Sequence, residues 1–211
     1  MGGFLAYLKG QVEKKVEVEL PRGVHAEDLL NQNFDSVIVA TGSSPRSQAR
    51  YPEAKGVDCW DVLRGKAKLD GNRVVVLGKG RVACETSEFM ARRRKKEVTI
   101  IHSGPPEELA NDMEPIFERR LLLERMRDCG VAILNGTSVI EITPEGVQAR
   151  GQTSGWIPCD HVVLEEAPVP DRSLLEELQG KMETIAVGDC LAPGDIYQAI
   201  HDGFRAGYRI E

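Results

Sequence analysis

The sequence predicts an α/β fold built on a parallel sheet, and three observations in one stretch of the chain lead to it. Residues 74–77 form a continuous apolar run, which is typical of a strand buried on both faces of a parallel sheet. A glycine-rich turn follows at 78–83 and opens a helical stretch. A second apolar run at 98–101 then completes a strand–helix–strand unit.

The turn itself fits the G-x-G-x-x-G/A fingerprint of a dinucleotide site in a Rossmann-type unit. Gly78 permits a tight turn, Gly80 lets a pyrophosphate approach the backbone, and Ala83 lets the helix pack closely on the strand. The first helical turn, with Arg81 and Val82, adds N–H donors and the positive end of the helix dipole. We therefore expect these five residues to bind a cofactor, the alternative being a βαβ unit that holds no phosphate.

Hydrophobic periodicity and turn residues place the other elements in chain order. Helices are predicted at 4–15, 113–129 and 195–209, with shorter helical pieces at 26–31, 61–64 and 174–178. Strands are predicted at 16–20, 35–42, 131–134, 139–143, 147–150, 161–164 and 184–187. The strands at 35–42 and 184–187 end on small or polar residues and flank the βαβ unit, which suggests one nucleotide domain inserted into a discontinuous second one.

Composition narrows the function classes. The chain has 211 residues, of which 41% are hydrophobic and 28% charged, an ordinary globular balance. Its formal net charge of −6 disfavours a nucleic-acid surface. No apolar run has membrane-spanning length and no signal peptide is evident, so a cytoplasmic protein is predicted. The five cysteines are scattered without metal-type spacing, so we expect neither a disulfide nor a metal site.

Seven blocks of the sequence resemble the C-terminal half of the NADH:flavin oxidoreductase family, which includes 2-enoate reductase, 2,4-dienoyl-CoA reductase and trimethylamine dehydrogenase. They follow the family's order along the chain. The blocks are VIVATGSSPR (37–46), WDVLRGKA (60–67), VVVLGKGRVACETSEFM (74–90), EVTIIH (97–102), DMEPIFERRLLLERM (112–126), ETIAVGD (183–189) and AIHDGFRAGYRI (199–210).

The resemblance implies a three-layer Rossmann-like NAD(P)-binding domain at 73–157, inserted in a partial FAD-type domain formed by 1–46 and 158–211, with a connector at 47–72. Members of the family pass a hydride from NAD(P)H to FAD and then on to a barrel that carries FMN and an iron–sulfur cluster. By this resemblance Thr41, Gly42, Gly188 and Asp189 would face FAD. The implied partners are a nicotinamide or adenine nucleotide and the missing barrel, and a homo-oligomer is also compatible with the resemblance.

The chain departs from the family pattern in its extent. It contains no barrel and no iron–sulfur cysteine cluster, and the first GxGxxG of the FAD domain would precede residue 1. We therefore expect an excised fragment or a natural truncated paralogue that binds FAD weakly or not at all. A disulfide reductase is not supported, because no paired redox cysteine motif is present.

A second departure concerns the nucleotide. An NAD-type unit places an acidic residue at the end of its second strand, where it binds the ribose 2′-hydroxyl. This sequence has His102 and Ser103 there, which could accommodate the 2′-phosphate of NADP. The site could equally bind only ADP, or no nucleotide at all. His102 could equally be an ordinary loop residue. The alternative function is thus a non-catalytic nucleotide-binding or scaffold module.

Overall fold

Seven α-helices and twelve strands are present in the residues that the computed structural model describes, namely 2–20, 23–44, 56–113 and 116–210. The helices are α1 (Gly2–Glu13), α2 (Ala26–Leu30), α3 (Cys59–Leu63), α4 (Arg81–Arg93), α5 (Ile116–Asp128), α6 (Ser173–Leu178) and α7 (Ile196–Arg209). The strands are β1 (Ser36–Val39), β2 (Ser43–Ser44), β3 (Val57–Asp58), β4 (Arg73–Leu77), β5 (Glu97–Ile101), β6 (Ala132–Leu134), β7 (Thr137–Thr143), β8 (Gly146–Gly151), β9 (Gly155–Pro158), β10 (His161–Leu164), β11 (Val169–Pro170) and β12 (Glu183–Ala186). The chain divides into two units, residues 1–42 with 170–211 and residues 43–169.

The larger unit is built on a parallel five-stranded sheet in the order β3-β10-β4-β5-β6. Alternate side chains of β4 face opposite sides, as the pleat of a strand requires. Val74 and Val76 pack in a core with α3, α4 and α5, whereas Val75 packs in a second core with residues of the antiparallel meander β7-β8-β9. Helices, sheet and meander form three layers, which confirms the predicted α/β class.

Helices α4 and α5 are tied together on their outer side by one carboxylate. Glu88 of α4 accepts hydrogen bonds from Arg125 of α5 at 2.8 and 3.2 Å and from Arg92 at 3.2 Å. Partial burial of Glu88 acts to raise its pKa, but the two guanidinium groups outweigh that effect and hold its pKa below the ordinary value of 4.5. The pair α4–α5 therefore has an ionic contact that acid weakens.

The smaller unit contains the parallel pair β1–β12 with α2 and α6 packed beside it. Its core is small and consists of buried residues from these elements and from a 3₁₀ turn at Gly188–Cys190: Ala26, Val39, Leu178 and Cys190. Helix α1 buries none of its residues, and α7 buries only Ala206 among its own. Much of the apolar surface of this unit is consequently exposed.

Three expectations need correction or restriction. The strand predicted at 16–20 is wrong: the structure has no strand there, and Val16, Val18 and Leu20 are all exposed. Of the predicted connector, 47–55 lies outside the described residues, while α3 confirms the helical turn near residue 61. Strand β10, placed by sequence in the flanking segment, lies between β3 and β4 in the five-stranded sheet.

Among the described residues, no helix has the length and apolar character needed to cross a lipid bilayer. In the same part of the chain, no group of three or more His, Cys, Asp and Glu side chains is arranged to hold a metal ion.

Candidate nucleotide site at the glycine turn

The glycine turn connects the end of β4 to the start of α4, with Gly80 as the residue that caps the helix. Gly80 has φ −77°, and Gly78 is not among the residues with positive φ, so neither position requires glycine for its backbone conformation. Close approach requires it instead. A Cβ on Gly78 would lie 2.8 Å from the Cβ of Ala83, the small residue predicted to let the helix pack tightly.

Glu165 lies directly against this turn, and the register of the sheet explains why. Leu164, the last residue of β10, pairs with Leu77, the last residue of β4, and the N–H of Glu165 donates to the carbonyl of Leu77 at 2.9 Å. Val163 packs on the helical side of the sheet. Side chains two residues apart share a face, so Glu165 also projects to that side, toward the N-terminus of α4.

The Glu165 carboxylate accepts three backbone hydrogen bonds from the turn. Oε2 accepts from the N–H groups of Lys79 at 3.0 Å and Gly80 at 2.7 Å, and Oε1 accepts from the N–H of Ala83 at 2.9 Å. The N–H groups at the start of a helix have no partner within the helix and lie at the positive end of its dipole, where an anion is favoured. The turn therefore binds an anion in this structure, and the anion is a side chain of the same chain.

A second carboxylate completes the set. The N–H of Arg81 donates to both carboxylate oxygens of Asp112, at 2.8 and 3.0 Å. Asp112 is brought there by the loop after β5, where the N–H of Ala110 donates to the carbonyl of Lys79. Four backbone donors of the turn, those of residues 79, 80, 81 and 83, are thus engaged by two carboxylates.

The lysine of the turn is also engaged. Its ammonium lies 2.5 Å from Oε2 of Glu108, and this contact lowers the pKa of that carboxyl group. Next to it, the guanidinium of Arg81 hydrogen-bonds Glu85 one helical turn further on, which raises the pKa of Arg81. Neither cation is directed at Glu165 by any of these contacts.

A cleft of about 360 Å³ opens beside the turn at the carboxyl edge of the sheet, where open α/β sheets place their ligands. Its lining comes from the turn, from the residues after β5 and β10, and from β7: Leu77, Gly78, Lys79, Ile101, His102, Ser103, Thr137, Ser138, Val139, Leu164, Glu165 and Glu166. Three of the predicted cofactor-binding residues, Gly78, His102 and Ser103, are therefore brought to one cleft.

His102 is a fixed residue of this cleft. It is 6% exposed, its backbone pairs with Leu134 and Thr137, and its Nε2 donates to Oδ1 of Asn135 at 2.7 Å. Its Nδ1 is buried without a hydrogen-bond partner among the described residues. Ser103, next in the chain, is exposed. The end of β5 thus has an imidazole held by a hydrogen bond and an exposed serine side chain where an NAD-type unit has a carboxylate.

The four residues predicted to face FAD lie together in the smaller unit. Val39 pairs with Ala186, so Thr41 and Gly42 leave β1 at the same sheet edge at which Gly188 and Asp189 leave β12. Their polar groups are used within the unit. The hydroxyl of Thr41 donates to the carbonyl of Asp171 at 2.6 Å, and Oδ1 of Asp189 accepts from the N–H of Gly194 at 3.1 Å.

Sequence reasoning missed Glu165 and Asp112. The sequence does show an acidic pair directly after a buried strand. Whether that pair lies near the glycine turn depends on which strand pairs with β4. Asp112 reaches the turn through a loop that periodicity does not describe. The cysteines are all free, and Cys59, Cys84, Cys159 and Cys190 are buried while Cys129 is partly exposed.

Comparison with known proteins identifies the family. The sequence profile of the family described as pyridine nucleotide-disulphide oxidoreductase matches residues 7–201. The chain belongs to this family. FAD and NAD(P) are the cofactors of the family, and the match confirms the oxidoreductase resemblance seen in the sequence.

Individual relatives agree with the family match. The chain is 33% identical to the NADH oxidase of Thermoanaerobacter brockii, over 98% of this chain and 33% of the relative. It is 34% identical to the bilirubin reductase of Mediterraneibacter gnavus, over 98% of this chain and 32% of the relative. Among solved structures, 2-naphthoyl-CoA reductase superposes with a TM-score of 0.82 at 26% identity, covering 99% of this chain and 32% of that one. The chain therefore spans about a third of the length of these relatives.

In this structure the donors of the turn are occupied, which decides whether the family's nucleotide fits there. Its converging N–H groups are the kind that bind phosphate, but in this conformation they fit a carboxylate and not a pyrophosphate, because Glu165 and Asp112 already accept from them. For FAD, the described part of the smaller unit holds only two paired strands, β1 and β12, and no G-x-G-x-x-G/A turn. In this conformation neither unit fits a dinucleotide pyrophosphate.

Proposed function

We propose that this chain is the pyridine-nucleotide- and FAD-binding portion of an NAD(P)H-dependent flavin oxidoreductase, passing a hydride from NAD(P)H to FAD within a longer protein or assembly. The observation that carries the proposal is the convergence of the N–H groups of Lys79, Gly80 and Ala83 on one anionic group at the start of α4. Such donors suit a phosphate once the carboxylate has left. The cofactors would supply the hydride chemistry, while the chain would bind and orient them.

The nucleotide would enter the cleft beside the turn. Gly78, Gly80, Arg81, Val82 and Ala83 would surround its pyrophosphate. His102 and Ser103 would lie near the adenosine ribose, because the residue after the second strand of such a unit contacts that sugar. Neither of them carries the negative charge that would repel a 2′-phosphate, so NADP and NAD are both candidate ligands.

The proposal extends to the part of the relatives that this chain does not match. Helix α7 carries an apolar stripe at every fourth residue, Ile196, Ile200, Phe204 and Tyr208, each 63–81% exposed. Helix α1 adds a second set of exposed apolar side chains: Phe4, Leu5, Tyr7, Leu8 and Val12. Exposed apolar patches on soluble proteins mark interaction surfaces. We propose that they pack against the remainder of a reductase polypeptide, such as the barrel and the first FAD segment, and that without it FAD binds weakly or not at all.

A second candidate function is a nucleotide-binding or scaffold module without catalysis. Two observations favour it: Glu165 and Asp112 fill the amide donors of the turn, and no carboxylate follows β5. An ADP-sized ligand or no ligand would then be expected.

A thermal titration separates the two candidates. NADH, NADPH and ADP are each added to the 211-residue protein in increasing amounts while its unfolding midpoint is followed, since a ligand of the native state must raise that midpoint. A rise with NADH or NADPH that is lost in Gly80→Asp supports the reductase portion, and a rise with ADP alone supports the scaffold. The absence of a rise with every nucleotide, in the wild type and in a variant whose turn has been freed of its carboxylate, would refute the reductase portion and any nucleotide-binding module at this turn.

A further inference from the structure

In this structure the backbone donors of the glycine turn bind the carboxylate of Glu165. We propose that Glu165 acts as an internal competitor of the nucleotide pyrophosphate, so that a nucleotide binds at the turn only after the Glu165 carboxylate has left its three amide donors. The inference rests on the proposed function, because it concerns how the same turn is opened to its ligand. It assigns to Glu165 control over nucleotide affinity.

Glu165 and a nucleotide pyrophosphate would use the same backbone donors. A pyrophosphate at a Rossmann turn accepts from the N–H groups of the turn and of the first helical residues. In this chain the N–H groups of Lys79, Gly80 and Ala83 all donate to Glu165 at 2.7–3.0 Å. Each backbone N–H has one hydrogen to donate, so a phosphate cannot take these bonds while the carboxylate keeps them.

The Glu165 carboxylate also occupies the space that a phosphate needs. The space in which a Cβ on Gly80 would sit is the space through which a phosphate approaches the backbone. Oε1 of Glu165 lies 2.8 Å from that position, and Oε2 lies 2.7 Å from the equivalent position on Gly78. The two glycines therefore leave room for a close anionic group, and the carboxylate has taken that room.

The negative charge of Glu165 opposes a phosphate as well. Among the described residues Glu165 forms no ion pair, and the ammonium of Lys79 in the same turn is paired with Glu108 instead. A phosphate brought beside an ionised Glu165 would meet a like charge at close range, which is unfavourable. Asp112 adds a second carboxylate at the N–H of Arg81.

The Glu165 side chain has open space beside it. Glu165 is the first residue after β10, residues 165–168 form no regular structure, and Glu165 also lines the cleft beside the turn. Rotation of its side chain away from the turn would free all three donors. The turn would then present the amide arrangement that a dinucleotide pyrophosphate requires.

The test compares affinities by isothermal titration calorimetry with three probes: inorganic pyrophosphate, ADP and NADH. The proteins are the wild-type chain, Glu165→Ala, Glu165→Gln and the control Glu107→Gln, which removes a charge from an exposed carboxylate in the neighbouring loop. We expect Glu165→Ala to bind pyrophosphate and ADP at least tenfold more tightly than the wild type, and Glu107→Gln to bind as the wild type does. Glu165→Gln is expected to lie between them, and circular dichroism verifies the fold of each protein.

Each outcome bears on the inference. Equal and measurable affinity of wild type and Glu165→Ala would overturn it while leaving the proposed function standing. No binding of any probe by any of the four folded proteins would overturn it together with nucleotide binding at this turn. Should Glu165→Ala fail to fold, Glu165→Gln decides alone: it must bind more tightly than both the wild type and Glu107→Gln for the inference to survive.

Discussion

Replacing Glu165 by glutamine should destabilise the larger unit, because it weakens the hydrogen bonds that residue 165 accepts from the glycine turn. The carboxylate accepts two bonds at Oε2 and one at Oε1. Glutamine has one acceptor oxygen, and its NH₂ group must face at least one of the three backbone donors. At best it keeps the two bonds at the Oε2 position without their charge assistance and loses the bond from Ala83.

The magnitude follows from these bonds. Hydrogen bonds to charged groups contribute about 1.5–3 kcal/mol each, and neutral ones about 1 kcal/mol. Losing one bond and weakening two would cost several kcal/mol in a dry interior. Glu165 is partly exposed, so water replaces some of the loss, and we expect a decrease of about 1.5–3 kcal/mol in the free energy of unfolding.

Urea unfolding followed by tryptophan fluorescence measures this change. Trp60 and Trp156 both lie in the larger unit, so the signal reports on the unit that contains the turn. The exposed control Glu107→Gln should change the free energy by no more than about 0.5 kcal/mol. A Glu165→Gln midpoint equal to that of the wild type, at an unchanged slope, would mean that Glu165 does not engage the turn in solution.

Three further predictions concern the framework around the site. Leu122→Ala, at a position that is fully buried in α5, should cost about 2–5 kcal/mol in urea unfolding, whereas Leu121→Ala, 45% exposed next to it, should cost under about 1 kcal/mol. Because the folded-state pKa of Glu88 is lowered, its ion pairs add to the free energy of unfolding above pH 4.5, and this contribution is lost as the pH falls through the folded pKa. Glu88→Gln should therefore lose less stability than the wild type between pH 5 and pH 3. An equal loss in the two proteins would contradict the ion pair. Burial raises the thiol pKa of Cys59 and Cys84, so at pH 8 iodoacetamide should modify both at least tenfold more slowly in the native protein than in urea, as peptide mass spectrometry would detect.

Local patterns predicted the central unit well. The run at 74–77, the glycine turn and the second apolar strand fixed a strand–turn–helix–strand order that the structure contains as β4, α4 and β5. This success has a simple basis, because each of these elements is specified by residues close together in the chain. The alternating pattern at 16–20 misled for the converse reason: a strand also needs a partner, and alternation cannot supply one.

The character of the turn was beyond local patterns. Whether the turn presents its N–H groups to a ligand or to a side chain depends on which strand lies beside β4, and that pairing brings residue 165 to residue 78 across 87 positions of sequence. The sequence shows the acidic pair after β10, but it does not show that β4 and its glycine turn lie beside that pair. His102 shows the same limit, since its anchoring by Asn135 depends on the pairing of β5 with β6.

The most direct test of whether Glu165 occupies the donors of the glycine turn is the amide spectrum of the ¹⁵N-labelled 211-residue protein with and without ADP. We predict that the N–H resonances of Lys79, Gly80 and Ala83 shift on Glu165→Ala and shift again when ADP is added to that variant, while the same resonances of the wild type move little at equal ADP. Amide resonances that respond to ADP identically in the wild type and in Glu165→Ala, or that do not change when Glu165 is replaced, would contradict the account.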